Sequence, residues 1–347
     1  MKRRKVVYCC ALGWWLSLAG MANPLPGAEK EVAVATIRNA VVKALPMIEK
    51  GAAGHLERRT CFSCHNQGVP VFAVQVARQR GFETDAAGFD KQLARTHDVL
   101  ARWAKSNPER KTFTGGQADT AGYTLLTLEL GGWQPDDITA AVVDYLLQRD
   151  RDLGYWRSSH LDRPPSEASP FTTTALAVRG LRAFGTPAQQ DAIARRLEAA
   201  RDWLRRAEPR DTEDRVFRLW GLKYAQAEPE EIAAAARDLL QTQRDDGGWG
   251  QLAEMDSDAY ATGSALTALH LAGGLAVSEP AYQRGIRLLL GKQQADGTWF
   301  VRSRSRNRFQ TYFETGFPYQ KDQWISIAAS SWATTALALA CPPSPKP

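Results

Sequence analysis

The chain is poor in the residues that staple small proteins or cluster around metals: its 347 residues include five cysteines, five histidines and four methionines. Cys9 and Cys10 fall in an apolar leader, which leaves Cys61, Cys64 and Cys341. Three thiols do not make a disulfide framework. There is no second CxxC and no HxxxH, so a closed zinc site would need ligands from distant parts of the chain. An excess of one charge is lacking too. The 44 basic residues include Lys2, Arg3, Arg4 and Lys5, and without these four, 40 face 38 acidic residues. That balance gives no argument for nucleic acid or an anionic membrane as partner. Beyond residue 22 no run of about 18 apolar residues occurs, so no transmembrane segment is expected.

Four basic residues, an apolar stretch over 6–19 and the small-residue site Gly20-Met21-Ala22 form the pattern of a secretory signal peptide. The expected organisation is a signal peptide over 1–22, one domain over 23–341 and a disordered tail over 342–347. The protein is then exported, to the periplasm or beyond.

The most informative motif is Cys61-Phe62-Ser63-Cys64-His65. Two thiols and a histidine at CxxCH spacing suit covalent attachment of a c-type haem: each thiol forms a thioether, and His65 ligates the iron from the same side. Haem c is attached outside the cytoplasm, so motif and address agree. The sixth iron position decides between electron transfer and ligand chemistry, and His160 and Met255 are its candidates. Arg163, in the rigid Arg163-Pro164-Pro165 loop, is a candidate partner for a haem propionate or an acidic substrate. Zinc and a CxxC redox disulfide are the other readings of the same residues.

The remainder of the chain repeats. Gln148 to Trp156, Gln243 to Trp249 and Gln294 to Trp299 are loops rich in Asp and Gly that end in Trp, each after an apolar helical run. Gly at the end of a helix takes the left-handed conformation without steric cost, and Asp bonds nearby amides. Partner segments rich in Ala, Thr and Leu share Thr124-Leu125-Leu126, Thr174-Ala175-Leu176, Ser264-Ala265-Leu266 and Thr335-Ala336-Leu337. The spacing predicts six helical hairpins, over 31–81, 89–132, 138–185, 191–227, 231–274 and 281–340. In the first, Pro46 is expected to end or kink the outer helix, and the CxxCH motif stands at the start of the inner one. The 300–321 loop, with Arg302, Arg304, Arg306 and Arg308 followed by aromatics, is long enough to be a lid.

These Gln...Asp-Gly-x-Trp loops and their partner helices resemble the repeats of squalene-hopene cyclases, other terpenoid cyclases and protein prenyltransferase β-subunits. The resemblance covers most of the chain after the leader and implies an all-α fold, an α/α toroid whose inner helices surround a central cavity. It also implies an acid motif, DxDD, in the class II cyclases; the match quoted for it is Asp256-Ser257-Asp258-Ala259, with one carboxylate lost. Asp256, Asp258 and Asp119 are therefore the catalytic candidates, with a helix N-cap and a first-turn carboxylate as the plainer roles of Asp256 and Asp258. In the prenyltransferases the ring holds zinc through Asp, Cys and His. Three functions follow as expectations: a haem-bearing toroid working with a periplasmic redox partner, a cyclase-like enzyme or lipid-binding protein holding an apolar small molecule in its cavity, and a non-catalytic scaffold.

Overall fold

The computed structural model describes residues 31–159, 163–305 and 314–343, and over these it is helical with no strand. Twelve α-helices alternate between an outer and an inner layer. The outer helices are α1 (Val34–Arg58), α3 (Ala86–Ser106), α5 (Asp137–Gln148), α7 (Gln190–Arg206), α9 (Pro229–Gln241) and α11 (Pro280–Lys292). The inner ones are α2 (Val69–Gln79), α4 (Ala118–Leu130), α6 (Pro170–Phe184), α8 (Thr212–Tyr224), α10 (Ala259–Leu271) and α12 (Gln323–Leu339). Each inner helix packs on the next, and α12 packs on α2, so the ring closes. The expected toroid of six hairpins is the observed fold.

The Trp loops are the joints of this ring. Trp156, Trp249 and Trp299 are fully buried, and each donates its indole Nε1–H to a carbonyl near the end of the preceding outer helix: Leu146 at 2.8 Å, Leu239 at 3.0 Å and Leu289 at 2.7 Å. Their backbone N–H groups donate to hydroxyls of the paired inner helix, those of Thr174, Thr262 and Ser330. One residue thus joins both helices of its hairpin. The repeated glutamine joins one hairpin to the next. Gln243 donates to Gly247 O within its loop and to Ala281 O at the start of α11, and Gln293 does the same to Gly297 O and to Ala40 O on α1. The repeat glutamine of the last loop is therefore Gln293 and not Gln294, which lies one position out of register. In the first loop the weld comes from the other side, where Arg196 lies over the Trp156 ring and donates to the carbonyls of Arg149, Asp150 and Leu153.

One expectation is corrected. Pro46 does not end α1, which runs through to Arg58. Pro46 and Val42 lie on the exposed face, so the carbonyl left without its helical donor meets water. His97 stacks on Trp133 and pairs with Asp136 at 2.9 Å. Cys341, the last residue of the domain, is buried, and its carbonyl accepts from Arg80. Residues 1–30, over which the signal peptide is expected, residues 344–347 and the 306–313 part of the long loop lie outside the described residues. Of that loop's described flanks, Arg304 bonds Gln251 at 2.8 Å and Phe317 is buried.

Candidate functional site

Because inner and outer helices alternate in direction, the N-terminal ends of all six inner helices meet at one rim. Their unpaired amides and aligned dipoles favour acidic groups there. The chain supplies them as Asp119 on α4, Glu167 before α6, Asp211, Glu213 and Asp214 around the start of α8, and Asp258 at the start of α10.

Cys64 opens a short π-helical turn, Cys64–Gly68, that is capped by the Ser63 side chain and runs into α2. The turn points Cys64 and His65 inward. Cys64 Sγ donates to Glu167 Oε1 at 2.9 Å and lies 3.5 Å from His65 Nδ1, while the His65 ring packs edge-on against Trp324. All three ligand-capable residues are buried, with one donor atom of each within 4.8 Å of the others. Burial, then the Glu167 carboxylate, pushes the Cys64 thiol well up; burial, then the Arg163 guanidinium, holds the His65 imidazole well below its ordinary value and so neutral. Cys61 is exposed, and both thiols of the motif are free. Its carbonyl pairs with His55 Nε2 at 3.0 Å, so His55 braces the motif from α1.

Arg163 faces Glu167, with Nη1 3.2 Å from Oε2. Met255 is half-buried in the loop that leads into α10, and His160 lies outside the described residues. Asp256 is exposed. Asp258 is the N-cap of α10: Oδ1 accepts from Ala261 N at 2.9 Å and Oδ2 from Gln251 Nε2 at 2.8 Å, which leaves the capping role as the better account of it. Asp119 is buried and accepts from Ser159 N and Thr173 Oγ1, with Ser158 Oγ beside it. Burial outweighs those bonds and moves its carboxyl up to about 7.

Glu213 was absent from the sequence-based candidates. It lies in the first turn of α8, 3% exposed, with Oε1 accepting from Thr172 Oγ1 at 3.0 Å and Tyr260 Oη at 3.3 Å. Its Oε2 has no partner among the described residues. Burial, reinforced by Asp211, raises its carboxyl to about 8, so near neutrality it carries a proton. The buried hydroxyl of Tyr123 is likewise without a partner among the described residues. Asp211-Thr212-Glu213-Asp214 has the carboxylate spacing sought at 256–259, with Glu in the third place.

Beneath Glu213, Phe217, Trp220 and Tyr224 follow on the same face of α8 at i+4, i+7 and i+11. Together with Phe72, Tyr123, Leu126, Leu176 and Trp332 they line a narrow recess between the inner helices. Its far end is closed by Arg179, which donates to Glu129 at 2.5 Å and Tyr224 Oη at 2.7 Å. The interior thus has a layer of acids, thiol and imidazole at the rim and an aromatic layer below it.

Comparison with known proteins agrees with this architecture. Residues 216–334 match the family model of the squalene-hopene cyclase C-terminal domain. Two solved structures of the type II terpene cyclase MstE from Scytonema superpose with 13% identity over 89% of this chain and 98% of theirs. One, in complex with merosterolic acid A, has a TM-score of 0.55, and the other, in complex with geranylgeranyl dihydroxybenzoate, has 0.56. A protein from Actinoplanes does so at 0.53, with 15% identity over 86% of this chain and 99% of that one. The fold is that of the type II terpene cyclases. A 77-residue stretch is also 42% identical to lanosterol synthase of Mus musculus, which is 20% of this chain and 10% of that protein. The chain therefore spans only about a tenth of the curated relative it matches. The family match begins three residues after Glu213 and runs over the rest of α8, over α10 and over most of α12, the helices that carry Tyr260, Trp324 and Trp332.

Proposed function

We propose that the protein carries out acid-initiated chemistry on an apolar, polyisoprenoid-class molecule inside the ring, with Glu213 as the proton donor. The observation that carries this is a buried carboxylic acid, protonated near neutral pH, whose Oε2 has no partner among the described residues and which stands one helical turn before Phe217, a lining residue of the aromatic recess. An acid in that state has a proton to give and no hydrogen bond to break in giving it. In the step, the Oε2–H bond breaks and a C–H bond forms at one alkene carbon, leaving the neighbouring carbon cationic. Loss of a proton from a later cation completes the balance and gives an isomer of the substrate. Tyr123, Phe217, Trp220 and Trp332 present π faces and edges to the space where that cation forms, which favours it over an aliphatic wall. The recess is narrow, so a substrate enters by moving these rings aside.

The family match over 216–334 and the cyclase fold support the same reading. The test is incubation with squalene and with geranylgeranyl-bearing aromatic acids, read by mass spectrometry for an isomer of unchanged mass and altered retention. Product that survives Cys61→Ala with Cys64→Ala and vanishes in Glu213→Gln supports the proposal. Equal turnover in Glu213→Gln overturns it.

A second reading is favoured by the chemistry of the CxxCH motif: an exported haem c protein serving a periplasmic redox partner. Cys61 and Cys64 are free thiols and His65 is a neutral imidazole, the forms that thioether formation and iron ligation need. Cys61 and Cys64 would hold the porphyrin and His65 the iron, and haem would supply electron transfer or ligand binding according to its sixth position. Attachment requires Cys64 to leave Glu167 and turn toward the exposed Cys61. A pyridine haemochrome assay after export in a host that matures haem c decides it, since covalent haem lost in Cys61→Ala supports this reading and its absence from the wild type removes it.

A further inference from the structure

We propose that Cys64, His65 and Glu167 form a binding site for one divalent transition metal, zinc by preference, at the rim of the ring. The proposal is independent of the acid chemistry assigned to Glu213. Its ligand set differs from that of the CxxCH haem reading by one exchange: Glu167 enters and Cys61 is left out.

The argument begins with distances. Around a tetrahedral metal with a bond of about 2.3 Å to sulfur and about 2.0–2.1 Å to nitrogen or oxygen, neighbouring ligand atoms stand roughly 3.3–3.6 Å apart. Cys64 Sγ and His65 Nδ1 are already 3.5 Å apart. Cys64 Sγ and Glu167 Oε1, 2.9 Å apart in their present S–H···O bond, need to open by roughly 0.7 Å to reach that range. When the metal binds, the Cys64 thiol gives its proton to solvent, and the carboxylate that accepted the S–H bond becomes a ligand. A mixed sulfur, nitrogen and oxygen set of three suits zinc over magnesium or calcium, which prefer oxygen alone.

The surroundings fix the three side chains. Arg163 Nη1 donates to both oxygens of Glu167, Oε2 at 3.2 Å and Oε1 at 3.4 Å, and so holds the carboxylate in place beside Cys64. Ser158 Oγ donates to the Glu167 backbone carbonyl at 2.6 Å, and the edge of Trp324 packs against the His65 ring. Neighbouring groups that orient ligands in this way raise metal affinity. Asp119, whose charge also bears on Cys64, is occupied by Ser159 N–H and Thr173 Oγ1–H. Three protein ligands leave a fourth position for water or for a heteroatom of a bound molecule, the arrangement of reactive rather than purely structural zinc sites.

The test uses the full chain made under reducing conditions without haem maturation, stripped with a chelator and titrated with zinc against a competing chromophore. Cobalt(II) serves as the optical probe. The expected result is one zinc per chain and a thiolate-to-cobalt absorption that Cys64→Ser removes. Glu167→Gln keeps the size of the side chain and an acceptor for Cys64, so it is the variant least prone to disturb folding. With its circular dichroism unchanged, it should bind zinc more than about tenfold more weakly. Cys61→Ser should bind as the wild type does. Absence of stoichiometric zinc, undiminished affinity in Glu167→Gln, or a loss in Cys61→Ser as large as that in Glu167→Gln overturns the site.

Discussion

Replacing Glu213 with Gln separates a buried neutral acid from an ordinary carboxylate without changing the size of the side chain. Unfolded, this carboxyl titrates near 4.5; in the ring, burial moves it to about 8. Between those values the native protein holds a proton that the unfolded chain has released, so native stability falls as pH rises. With a pKa unit equal to about 1.36 kcal/mol, the loss from this one group between pH 5.5 and 7.5 comes to about 2 to 3 kcal/mol. Gln has no proton to lose and shows none of it. Asp119, raised to about 7 for the same reason, adds its own decline to both proteins and cancels in the difference. Urea unfolding of both proteins at the two pH values should therefore find Glu213→Gln gaining on the wild type as pH rises, while its turnover of any polyene substrate is lost throughout. Parallel pH profiles for the two would mean that Glu213 is ionised in the native ring, and the proton-donor argument would fall with it.

Four further outcomes follow from the joints of the ring. Thr262→Val leaves the buried Trp249 N–H without its acceptor at 3.0 Å and should cost about 1 to 3 kcal/mol in chemical denaturation, with Thr262→Ser recovering most of it. Asp258→Ala should lower the melting point by the loss of an N-cap, about 1 kcal/mol, and leave any cyclising activity in place, whereas a proton donor at 258 would abolish it. Gly297 has φ +89°, and a Cβ there would lie 2.3 Å from Lys43 O on α1; Gly297→Ala should thus cost about 2 kcal/mol or more and loosen the closure of the ring. Gly132 has φ +74° with open space around its Cβ position, so Gly132→Ala should cost only about 1 kcal/mol in the same thermal melts.

The ring was legible because its joints are local. A Trp reaching back ten residues to the end of its own outer helix, and an Asp-Gly turn that reverses the chain, leave their marks within one short window of sequence, repeated often enough to be read. The exceptions are physical too. Pro46 read as a break because the missing N–H is a property of the residue, whereas the water that satisfies the orphaned carbonyl is a property of which face of α1 points outward. Gln294 is the glutamine adjacent to the turn, but only Gln293 has the four-residue spacing to the Gly carbonyl that lets one amide span its own loop and α1.

The site was less legible, and for a different reason. Cys64 and His65 announced themselves through CxxCH, but Glu167 is 103 positions from Cys64 and meets it only because three inner helices start at the same rim. Glu213 had a signal that was passed over: three carboxylates at 211, 213 and 214 opening an inner helix, whereas 256–259 keeps two. A first-turn glutamate ordinarily complements the helix dipole in solvent, and that setting would lower its pKa. What reverses the sign here is the depth of the ring, which buries the carboxyl and denies Oε2 a donor. Burial of that kind is created by closure, through the packing of α12 on α2, two segments far from either glutamate in sequence. The acid and the proposed metal ligands therefore depend on the same closing contact, and a variant that opens the ring, such as Gly297→Ala, should shift Glu213 back toward an ordinary carboxylate and separate Glu167 from Cys64 together.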